Sequence, residues 1–444
     1  MNANRLKLVY EGLPKTIKKL LSPLFIRVIL NNKVYKKTLK ELKEFDELND
    51  AQKRAVQFEK LKETLIEAYN NVPYYRKRFS EAGFNPEEMT DISEMEKIPL
   101  LTKDDAIEAG AEILSRKKID CYESVTGGSS GRALKVVLDK DSIYKERAFT
   151  NHFLGKYGYD LRNTRTLAFW GHNKDDDYYF SPLKNEIVIS PFKLFDEKSF
   201  PVVWKAVEEF KPDFISGYPS AIYLFAQMME RNGKKRKFKL VNFYAENHTD
   251  EMKRYIEQTL QCKAVSNYGH TERAVFAEEY EDGYLFNGLY GYTEFLPTEI
   301  EGEYKICCTG FISRKMPLIR YVTDDVVRFN EKGYAQIQGH KFSEVSLISK
   351  SGSKIFKGAL TMHLDAFKKV KQYQYVQYEP GKAYLDLVLV ETLTEADKEE
   401  ILGYLSRRVE NQLDIELRIV DSVELTKRGK YNWAVNKIAK RVEQ

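Results

Sequence analysis

Strand-like and helix-like segments alternate along the middle of the chain, and this alternation most restricts the possible folds. The runs "RTLAFWG", "FKLVNFYAEN" and "KAVSNYG" are apolar and short, and they predict strands. Between them, "FPVVWKAVEEFKPDFISGYPSAIYLFAQMMERNG" predicts a helix, a short strand, a turn and a helix, and "TDEMKRYIEQTLQ" predicts a helix capped by Thr249. Because such alternation builds parallel strands joined by crossover helices, we predict an α/β core.

The segments on either side of this core have a different character. Residues 40–80 carry apolar positions at helical spacing among many charges, and we predict a helix that ends at the proline of "VPYYRKRF". Beyond about residue 285, short strand-like runs with turn signals predict a meander. From the stretch Gly339–Glu344 onward, a strand pair, a helix around "ALTMHLDAFKKV", two β-rich runs, a helix and a last strand predict an α+β unit of about 100 residues.

The composition is that of an ordinary globular protein, and it excludes several function classes. The 444 residues contain 71 Lys and Arg against 66 Asp and Glu, and a net charge of only +5 argues against a dedicated nucleic-acid binder. The chain has 4 cysteines without a C-x-x-C pair, so neither a zinc ribbon nor a dithiol redox site is predicted. Scattered cysteines of this kind fit a reducing, cytoplasmic location.

The N-terminal segment is basic and partly apolar. Residues 1–40 contain ten Lys or Arg and one acid, and the patch "LLSPLFIRVIL" is too short and too interrupted to span a bilayer. Two alternatives are open. The segment packs on the main domain as a helix or lid, or it makes peripheral contact with an anionic membrane, at the inner membrane face. The sequence does not determine the oligomeric state.

A cluster of glycines and hydroxyl residues lies between two β-prone runs in "SVTGGSSGRALKVVLDK", Ser124–Lys140. No G-K-[ST] follows at the required spacing, so the pattern is not a Walker A loop, and we predict that the loop runs from strand to strand. Either it is a flexible surface turn, or its backbone N–H groups and the hydroxyls of Thr126, Ser129 and Ser130 hold phosphate. The loop alone does not decide between these alternatives.

Three further stretches carry residues suited to nucleotide chemistry. Tyr268, Thr271 and Glu272 follow a predicted strand in "SNYGHTERAVFAEEY". Asp325 ends a predicted strand in "TGFISRKMPLIRYVTDDVV", and Lys430 follows a glycine in "LTKRGKYNWAVNKI". The simpler alternatives are a surface salt bridge for the glutamate, a turn cap for the aspartate and a solvated basic run for the lysine.

Taken in order, these stretches resemble the motifs of the adenylate-forming superfamily of acyl-CoA ligases, peptide-synthetase adenylation domains and luciferases. The resemblance covers roughly residues 60–444 and is closer to the phenylacetate–CoA ligase-like branch, including CapK-like members associated with capsule polysaccharide genes. It implies a large α/β domain with mixed sheets, helices and a β-rich subdomain, followed by a small mobile α+β domain. We therefore divide the chain into a basic helical segment 1–60, an ATP- and acyl-binding domain 61–339, and a lid domain 340–444 that carries the catalytic lysine.

The resemblance also implies which residues bind ATP or AMP. The stretch "TGGSSGRAL" resembles the phosphate loop T-S-G-T-T-G-x-P, and "YAEN" resembles the stretch that lines the adenine pocket. These two matches assign nucleotide contacts to Thr126, Gly127, Gly128, Ser129, Ser130, Gly131, Ala245, Glu246 and Asn247. The loop departs from the family pattern at Gly127, where serine is usual, and at Ala133, where proline is usual.

The stretch "YGHTE" resembles the Y-G-x-T-E motif of the family. The match implies that Tyr268, next to Gly269, flanks the adenine. It further implies that Thr271 contacts the α-phosphate and that Glu272 holds Mg²⁺. The region after this motif lacks the cysteines that bind zinc in some relatives, so no structural zinc is expected.

Three positions outside this motif complete the implied nucleotide site. Asp325 matches the acid that binds the ribose hydroxyls, although Asp324 precedes it where glycine is usual. Lys430 matches the C-terminal lysine that bridges the acyl carboxylate and the α-phosphate, with Lys427 as the alternative. His340 stands at the hinge, where the family usually has arginine with its planar, permanently charged group.

No sequence motif identifies the residues of the acyl pocket. Trp170 and His172, in "FWGHNKDDDYYF", either line this pocket or belong to a packed strand end next to an acidic turn. The basic run 231–239 either meets the phosphates of coenzyme A or forms a solvated loop.

Together, the matches imply a cytoplasmic ligase that uses ATP and Mg²⁺ to convert a small-molecule carboxylic acid to an acyl-adenylate with release of pyrophosphate. The acyl group then passes to coenzyme A or to another nucleophile, such as an amine or hydroxyl of a sugar or carrier, in polysaccharide or secondary-metabolite biosynthesis. Two other functions stay open. One is an amide- or ester-forming ligase that does not use coenzyme A. The other is a nucleotide-binding scaffold without catalysis, which the departures at His340 and Gly127 motivate.

Overall fold

The computed structural model describes most of the chain, in two compact units. The described residues are 24, 26–126, 134–170, 178–181, 185–194, 199–246, 248–340, 347–352, 354–355, 360, 362, 364–409, 411–425 and 431–438. The first unit comprises Met1–Phe169, Lys174–Ile189 and Lys198–Gly339, and the second comprises Trp170–Asn173, Ser190–Glu197 and His340–Gln444. The three domain ranges given above stay predictions.

The first unit is rich in helices, and several of them begin at a side chain that caps the first turn. Its described α-helices are α1 (Lys33–Asp46), α2 (Asp50–Asn71), α3 (Pro73–Glu81), α4 (Lys103–Ala109), α5 (Asp141–Gly155), α6 (Phe200–Phe210), α7 (Pro219–Arg231) and α8 (Asp250–Leu260), with a 3-10 helix over Ile92–Lys97. Helix α2 begins at a capping box, in which the side chains of Asn49 and Gln52 each accept the other's backbone N–H. At the start of α8, the Thr249 hydroxyl accepts the Met252 N–H, so the predicted cap is confirmed.

The helix predicted over residues 40–80 is divided among three helices. Proline disrupts a helix interior but fits the first helical turn. Pro73 therefore begins α3, and the break lies at Val72, whose extended backbone (φ −117°, ψ 111°) ends α2 and precedes α3. A helix therefore ends at this proline, as predicted, but the same proline also begins a further helix, which was not predicted.

One sheet runs through the first unit. Its strands, in order across the sheet, are β11 (Gly291–Pro297), β12 (Tyr304–Gly310), β13 (Tyr321–Phe329), β14 (Ala335–His340), β10 (Gly283–Phe286), β9 (Phe276–Tyr280), β8 (Lys263–Gly269), β7 (Leu240–Phe243), β6 (Phe214–Gly217), β3 (Thr166–Phe169), β5 (Glu186–Ile189) and β4 (Tyr179–Ser181). A separate hairpin pairs β1 (Cys121–Val125) with β2 (Lys135–Asp139).

The part of the sheet from β8 to β5 is parallel, as the alternation of strands and helices predicts. Strands β8, β7, β6, β3 and β5 pair in parallel. Every residue of β3, β5 and β7 is buried, which is the pattern of parallel strands covered on both faces. Beyond β8, strands β9 to β13 form antiparallel pairs that correspond to the predicted meander. The predicted α/β fold class is confirmed.

Residues near the N-terminus pack against α5. Ile26, Ile29 and Leu42 are buried in one apolar cluster with Phe149 and Phe153. Burial of such side chains contributes about 1.5–3 kcal/mol each relative to exposure. For these residues the structure supports the alternative of a segment packed on the main domain. In the part of the chain that the structure describes, no helix combines the length and the apolar character needed to cross a bilayer.

The second unit is built on a small mixed sheet. Its strands, in order, are β19 (Asp414–Ile419), β18 (Lys382–Leu389), β17 (Val370–Glu379) and β20 (Ala434–Asn436), and β15 (Leu347–Ile348) pairs separately with β16 (Lys354–Ile355). Helix α9 (Glu395–Arg408) buries Ile401 and Leu405 in the core of this unit. The helix predicted around "ALTMHLDAFKKV" is described only in part, as a 3-10 helix over Asp365–Lys369; another 3-10 helix spans Pro191–Leu194.

Asp139, at the end of β2, fastens the β1–β2 hairpin to the loop that precedes β13. Its residue is 1% exposed, and its carboxylate accepts the Ser313 hydroxyl at 3.1 Å, the Arg314 N–H at 3.1 Å and the Lys315 N–H at 2.8 Å. Hydrogen bonds to a charged group stabilise a fold by about 1.5–3 kcal/mol each. Because this hairpin carries the glycine-rich loop, Asp139 helps to fix where that loop leaves the core.

We expect Asp139→Ala to lower the free energy of unfolding by about 3 kcal/mol, because the N–H groups of Arg314 and Lys315 lose their acceptor. Urea denaturation followed by circular dichroism measures this loss. Asp120, which precedes β1, is exposed and lies 3.6 Å from Lys140, so Asp120→Ala is the control and should change stability little. Equal losses in the two variants would contradict the role of Asp139.

Candidate active site

The carboxyl ends of parallel strands meet at one edge of the sheet. Predicted site residues lie at the ends of β3 (Trp170), β7 (Ala245 and Glu246) and β8 (Tyr268 and Gly269). Because parallel strands point the same way, β3, β6, β7 and β8 end side by side. Strand β3 lies between β5 and β6. The chain continues from β3 to β4 and β5 at one end of the strand order, and from β6 to β7 and β8 in the opposite direction. Open α/β sheets bind ligands outside such a reversal of strand order.

Gly217 ends β6 and permits a close approach of β6 to β3 at this edge. Its register partner is Phe169, and a Cβ atom on residue 217 would lie 2.3 Å from the Phe169 carbonyl oxygen. No side chain fits at that distance, so this position requires glycine. The Tyr218 N–H donates to the same oxygen at 3.1 Å, which leads the chain into α7.

The stretch predicted to line the adenine pocket follows β7. Ala245 has a left-handed backbone (φ 64°), a conformation that costs free energy for a residue with a side chain. This turn brings Glu246 to the start of α7, where its Oε2 accepts the Ser220 hydroxyl at 2.7 Å. A carboxylate is stabilised by the positive N-terminal end of a helix. Asn247 lies outside the described residues, so its role stays a prediction.

Strand β8 ends in a tight turn that contains Thr271 and Glu272. The Arg273 N–H donates to the His270 carbonyl at 3.0 Å, and Arg273 has a left-handed backbone (φ 52°). Thr271 and Glu272 therefore occupy the two central positions of the turn. Gly310 lets the chain after the turn pack closely on β12, because a Cβ atom at that position would lie 2.7 Å from the Cα of Ala274.

The Glu272 side chain is 12% exposed, and its carboxylate is ionised. Its Oε2 lies 3.3 Å from Nδ1 of His270, an ionic contact without the angle of a regular hydrogen bond, and its Oε1 accepts the Tyr321 hydroxyl at 3.3 Å. Burial raises the pKa of this carboxyl, but the charge of His270 and the surrounding donors outweigh burial and lower the pKa to about 2. Burial likewise disfavours protonated His270, yet the Glu272 carboxylate raises the pKa of the imidazole. The two side chains thus form an ion pair.

A hydrogen bond joins two predicted motifs that are far apart in the chain. The Tyr268 hydroxyl donates to Oδ2 of Asp325 at 2.6 Å, and the Asp325 residue is 7% exposed. Burial and the charge of Asp325 raise the pKa of the Tyr268 phenol, so its hydroxyl keeps its proton and acts as the donor. The contact places an aromatic ring beside a carboxylate, an arrangement suited to the base and ribose of a nucleoside.

The glycine-rich loop connects β1 to β2, as predicted, and Thr126 closes its base. The Thr126 hydroxyl accepts the Leu134 N–H at 2.9 Å, and the Thr126 N–H donates to the Leu134 carbonyl at 3.0 Å. Five residues of the predicted phosphate loop lie outside the described residues: Gly127, Gly128, Ser129, Ser130 and Gly131. Phosphate binding by this loop therefore stays a prediction.

In the described structure, four other predicted residues are not found with Tyr268, Glu272 and Asp325. Trp170 directly follows β3 but belongs by its contacts to the second unit, and His172 lies outside the described residues. His340 is the last residue of β14 and begins the longest segment of the second unit. Lys430 lies outside the described residues. The acyl-pocket, hinge and catalytic roles of these four residues stay predictions.

Two side chains that contact Glu272, those of Tyr321 and His270, were not predicted from the sequence. Tyr321 stands four residues before Asp325 on β13. Alternate residues of a strand share a face, so this spacing could have indicated that Tyr321 lies on the same face as Asp325. His270 occupies the variable position of the Y-G-x-T-E pattern, which assigns it no role. Within the described residues, Nε2 of His270 has no hydrogen-bond partner.

The residues present suit a magnesium ion that is held mainly by a nucleotide. The described part of the chain contains no group of three or more His, Cys, Asp or Glu side chains placed to bind a metal by themselves. Mg²⁺ usually keeps several waters and binds one or two carboxylates together with substrate phosphates. Glu272, which is ionised and oriented by Tyr321 and His270, fits the carboxylate role.

Comparisons with known proteins find similarity to CapK and to acyl-CoA ligases. The family model of the CapK C-terminal domain matches residues 347–437. Protein CapK of Staphylococcus aureus is 23% identical over 98% of this chain and 100% of its own length. A phenylacetate-coenzyme A ligase of Pseudomonas putida is 25% identical over 82% of this chain and 89% of its own. In structure, 2-hydroxyisobutyryl-CoA ligase in the postadenylation state, in complex with 2-HIB-AMP, has a TM-score of 0.67 at 16% identity over 89% of this chain and 92% of that chain.

At this sequence identity the structural likeness shows the fold, which is shared with an acyl-CoA ligase. The sequence relatives align over most of their own length, and the family model matches the C-terminal part of the chain. The chain is therefore similar over most of its length to CapK and to a phenylacetate-coenzyme A ligase, and it resembles the phenylacetate–CoA ligase-like branch of the adenylate-forming superfamily.

Proposed function

We propose that this protein activates a small-molecule carboxylic acid with ATP, releases pyrophosphate, and passes the acyl group of the resulting acyl-adenylate to coenzyme A. The observation that carries the proposal is the 2.6 Å hydrogen bond between Tyr268 and Asp325, next to the turn that contains Glu272. It joins the two motifs at the sheet edge where α/β folds bind nucleotides. Two relatives support the same reaction: one is a phenylacetate-coenzyme A ligase, and the other was solved in complex with 2-HIB-AMP.

The reaction joins two anions, so the site has to offset their repulsion. A carboxylate oxygen of the acid attacks the α-phosphorus of ATP, the bond to the bridging oxygen breaks, and pyrophosphate leaves with the electron pair. In our proposal, Asp325 accepts the ribose hydroxyls and the ring of Tyr268 lies against the adenine. Thr271 donates to an α-phosphate oxygen, and Lys430 bridges that phosphate and the acyl carboxylate as charge develops.

Glu272 would hold Mg²⁺ together with the nucleotide phosphates. When bound, the ion supplies positive charge that offsets the charge of the phosphates. Because its pKa is about 2, Glu272 is ionised at neutral pH and loses no proton when it binds a cation. The contacts from Tyr321 and His270 orient the carboxylate, as outer contacts usually do around metal ligands.

Two candidates compete as the acceptor of the acyl group. Coenzyme A is favoured by the ligase relatives named above. An amine or hydroxyl of a sugar or carrier is favoured by the match of residues 347–437 to the CapK C-terminal domain, and by the full-length similarity to CapK. AMP formation that depends on the added acceptor distinguishes the two.

The experiment that tests the proposed function measures pyrophosphate release from MgATP with a panel of aromatic, aliphatic, amino and hydroxy acids. Hydroxylamine is present to trap the acyl-adenylate as a hydroxamate. Release that depends on one class of acid would support adenylation and identify the substrate class. Normal ATP binding without release for any acid would instead indicate the nucleotide-binding scaffold.

Lys430→Ala should slow pyrophosphate release by at least about 100-fold, because it removes a cation that acts where charge develops. The Kd for ATP should stay within about threefold, because this interaction is made in the transition state rather than in the bound ground state. Single-turnover release and equilibrium ATP binding measure the two effects. Lys427→Ala removes the same charge from the same basic run; full activity in Lys430→Ala with loss in Lys427→Ala would transfer the role to Lys427.

Asp325→Ala should raise the KM for ATP about 10- to 100-fold, because the ribose loses a charged acceptor worth about 1.5–3 kcal/mol. Initial rates at varied ATP concentration measure this change. Asp324→Ala is the matched control, since Asp324 precedes Asp325 on β13 and successive strand residues alternate between faces. An unchanged KM in Asp325→Ala would remove the ribose role.

A further inference from the structure

One buried side chain holds both ends of the interval that carries Lys430. Gln374, in β17, is 1% exposed. Its Nε2 donates to the carbonyl oxygens of Glu424 and Asn432, each at 2.8 Å, and its Oε1 accepts the Glu424 N–H at 3.0 Å. Glu424 precedes and Asn432 follows the interval 425–431, which contains the lysine.

The carboxamide of Gln374 matches these three backbone groups. Both N–H groups of Nε2 point to carbonyl oxygens and the oxygen receives an N–H, so the contacts define one orientation of the amide. A carboxylate at this position would lose both donors, and an apolar side chain would lose all three contacts. Burial of a glutamine in a sheet costs free energy unless hydrogen bonds of this kind offset it.

Further contacts tie the same interval to β17. Leu425 and Tyr431 form an antiparallel bridge, and the Tyr431 hydroxyl donates to the Tyr373 carbonyl. The chain then continues into β20, which pairs in parallel with β17. The two ends of the interval are thus held close together, and Gln374 contacts both ends through a single side chain.

We propose that Gln374 is a positioning residue for adenylation. It fixes the separation and direction of the two ends of the interval 425–431, which carries Lys430. The inference rests on the proposed function, in which Lys430 bridges the acyl carboxylate and the α-phosphate. Gln374 acts through the lysine and not on the substrate. A misplacement of about 1 Å, caused by a mutation far from the reacting atoms, can cost about 100-fold in rate.

Gln377 offers a matched control in the same strand. It is 0% exposed, and its side chain donates to the Ile348 carbonyl at 2.8 Å and accepts the Ile348 N–H at 2.6 Å. These contacts reach another part of the second unit and not the ends of the lysine interval. Methionine has a volume and shape close to those of glutamine, so Gln374→Met and Gln377→Met each remove buried hydrogen bonds without opening a large cavity.

The test measures acid-dependent pyrophosphate release and thermal unfolding for wild type, Gln374→Met, Gln377→Met, Lys430→Ala and the double variant Gln374→Met/Lys430→Ala. We expect Gln374→Met to lower kcat about 10- to 100-fold with little change in the KM for ATP. Gln377→Met should keep kcat within about twofold of wild type although its Tm falls as well. Because Gln374 acts through Lys430, the double variant should be no slower than Lys430→Ala alone.

Equal kcat values in Gln374→Met and Gln377→Met would overturn the proposal and leave the proposed function intact. A further loss of rate in the double variant would overturn it as well, since Gln374 would then act independently of the lysine. No release from wild type with any acid would contradict the proposed function itself, and the inference would fall with it. If Gln374→Met does not fold, Gln374→Asn keeps the amide but shortens its reach by one methylene, and the same comparison of kcat and KM applies.

Discussion

Strand β8 belongs to both parts of the sheet, and the candidate site depends on this double pairing. Its residues Lys263–Ser266 pair in parallel with β7, and Asn267–Gly269 pair antiparallel with β9. The strand therefore ends at the edge where the parallel strands end, while its last residues already adjoin the antiparallel part. Tyr268, in this antiparallel end of β8, donates to Asp325 on β13, although β9, β10 and β14 lie between the two strands in the order of the sheet.

Hydrogen bonds orient the two carboxylates of the candidate site. A tyrosine hydroxyl contacts each of the two carboxylates: Tyr321 donates to Glu272, and Tyr268 donates to Asp325. His270 adds the charge that keeps Glu272 ionised in spite of burial. Groups that are already oriented stabilise a charged transition state without reorganising during the reaction, and the reaction proposed above would benefit from this.

Much of this arrangement could be predicted from local patterns. The alternation of strands and helices predicts the parallel part of the sheet, and the order of the motifs singles out Tyr268, Glu272 and Asp325 before their proximity is known. A helix ends before Pro73, as predicted, but the new helix that begins at Pro73 was not predicted, because the periodicity of residues 40–80 does not show that proline also fits a first helical turn. The need for glycine at position 217 is likewise invisible in the sequence, because it arises from contact with another strand.

The sequence by itself determined the fold class, the order of the motifs and the residue types available for nucleotide chemistry, because strand and helix periodicity and motif spacing are local properties of the chain. Only the tertiary structure decided which side chains hold those residues in place. The contacts of Tyr321 with Glu272 and of Gln374 with Glu424 and Asn432 join residues far apart in the chain. Such contacts depend on the register of paired strands, and register is set by the packing of whole strands against their neighbours.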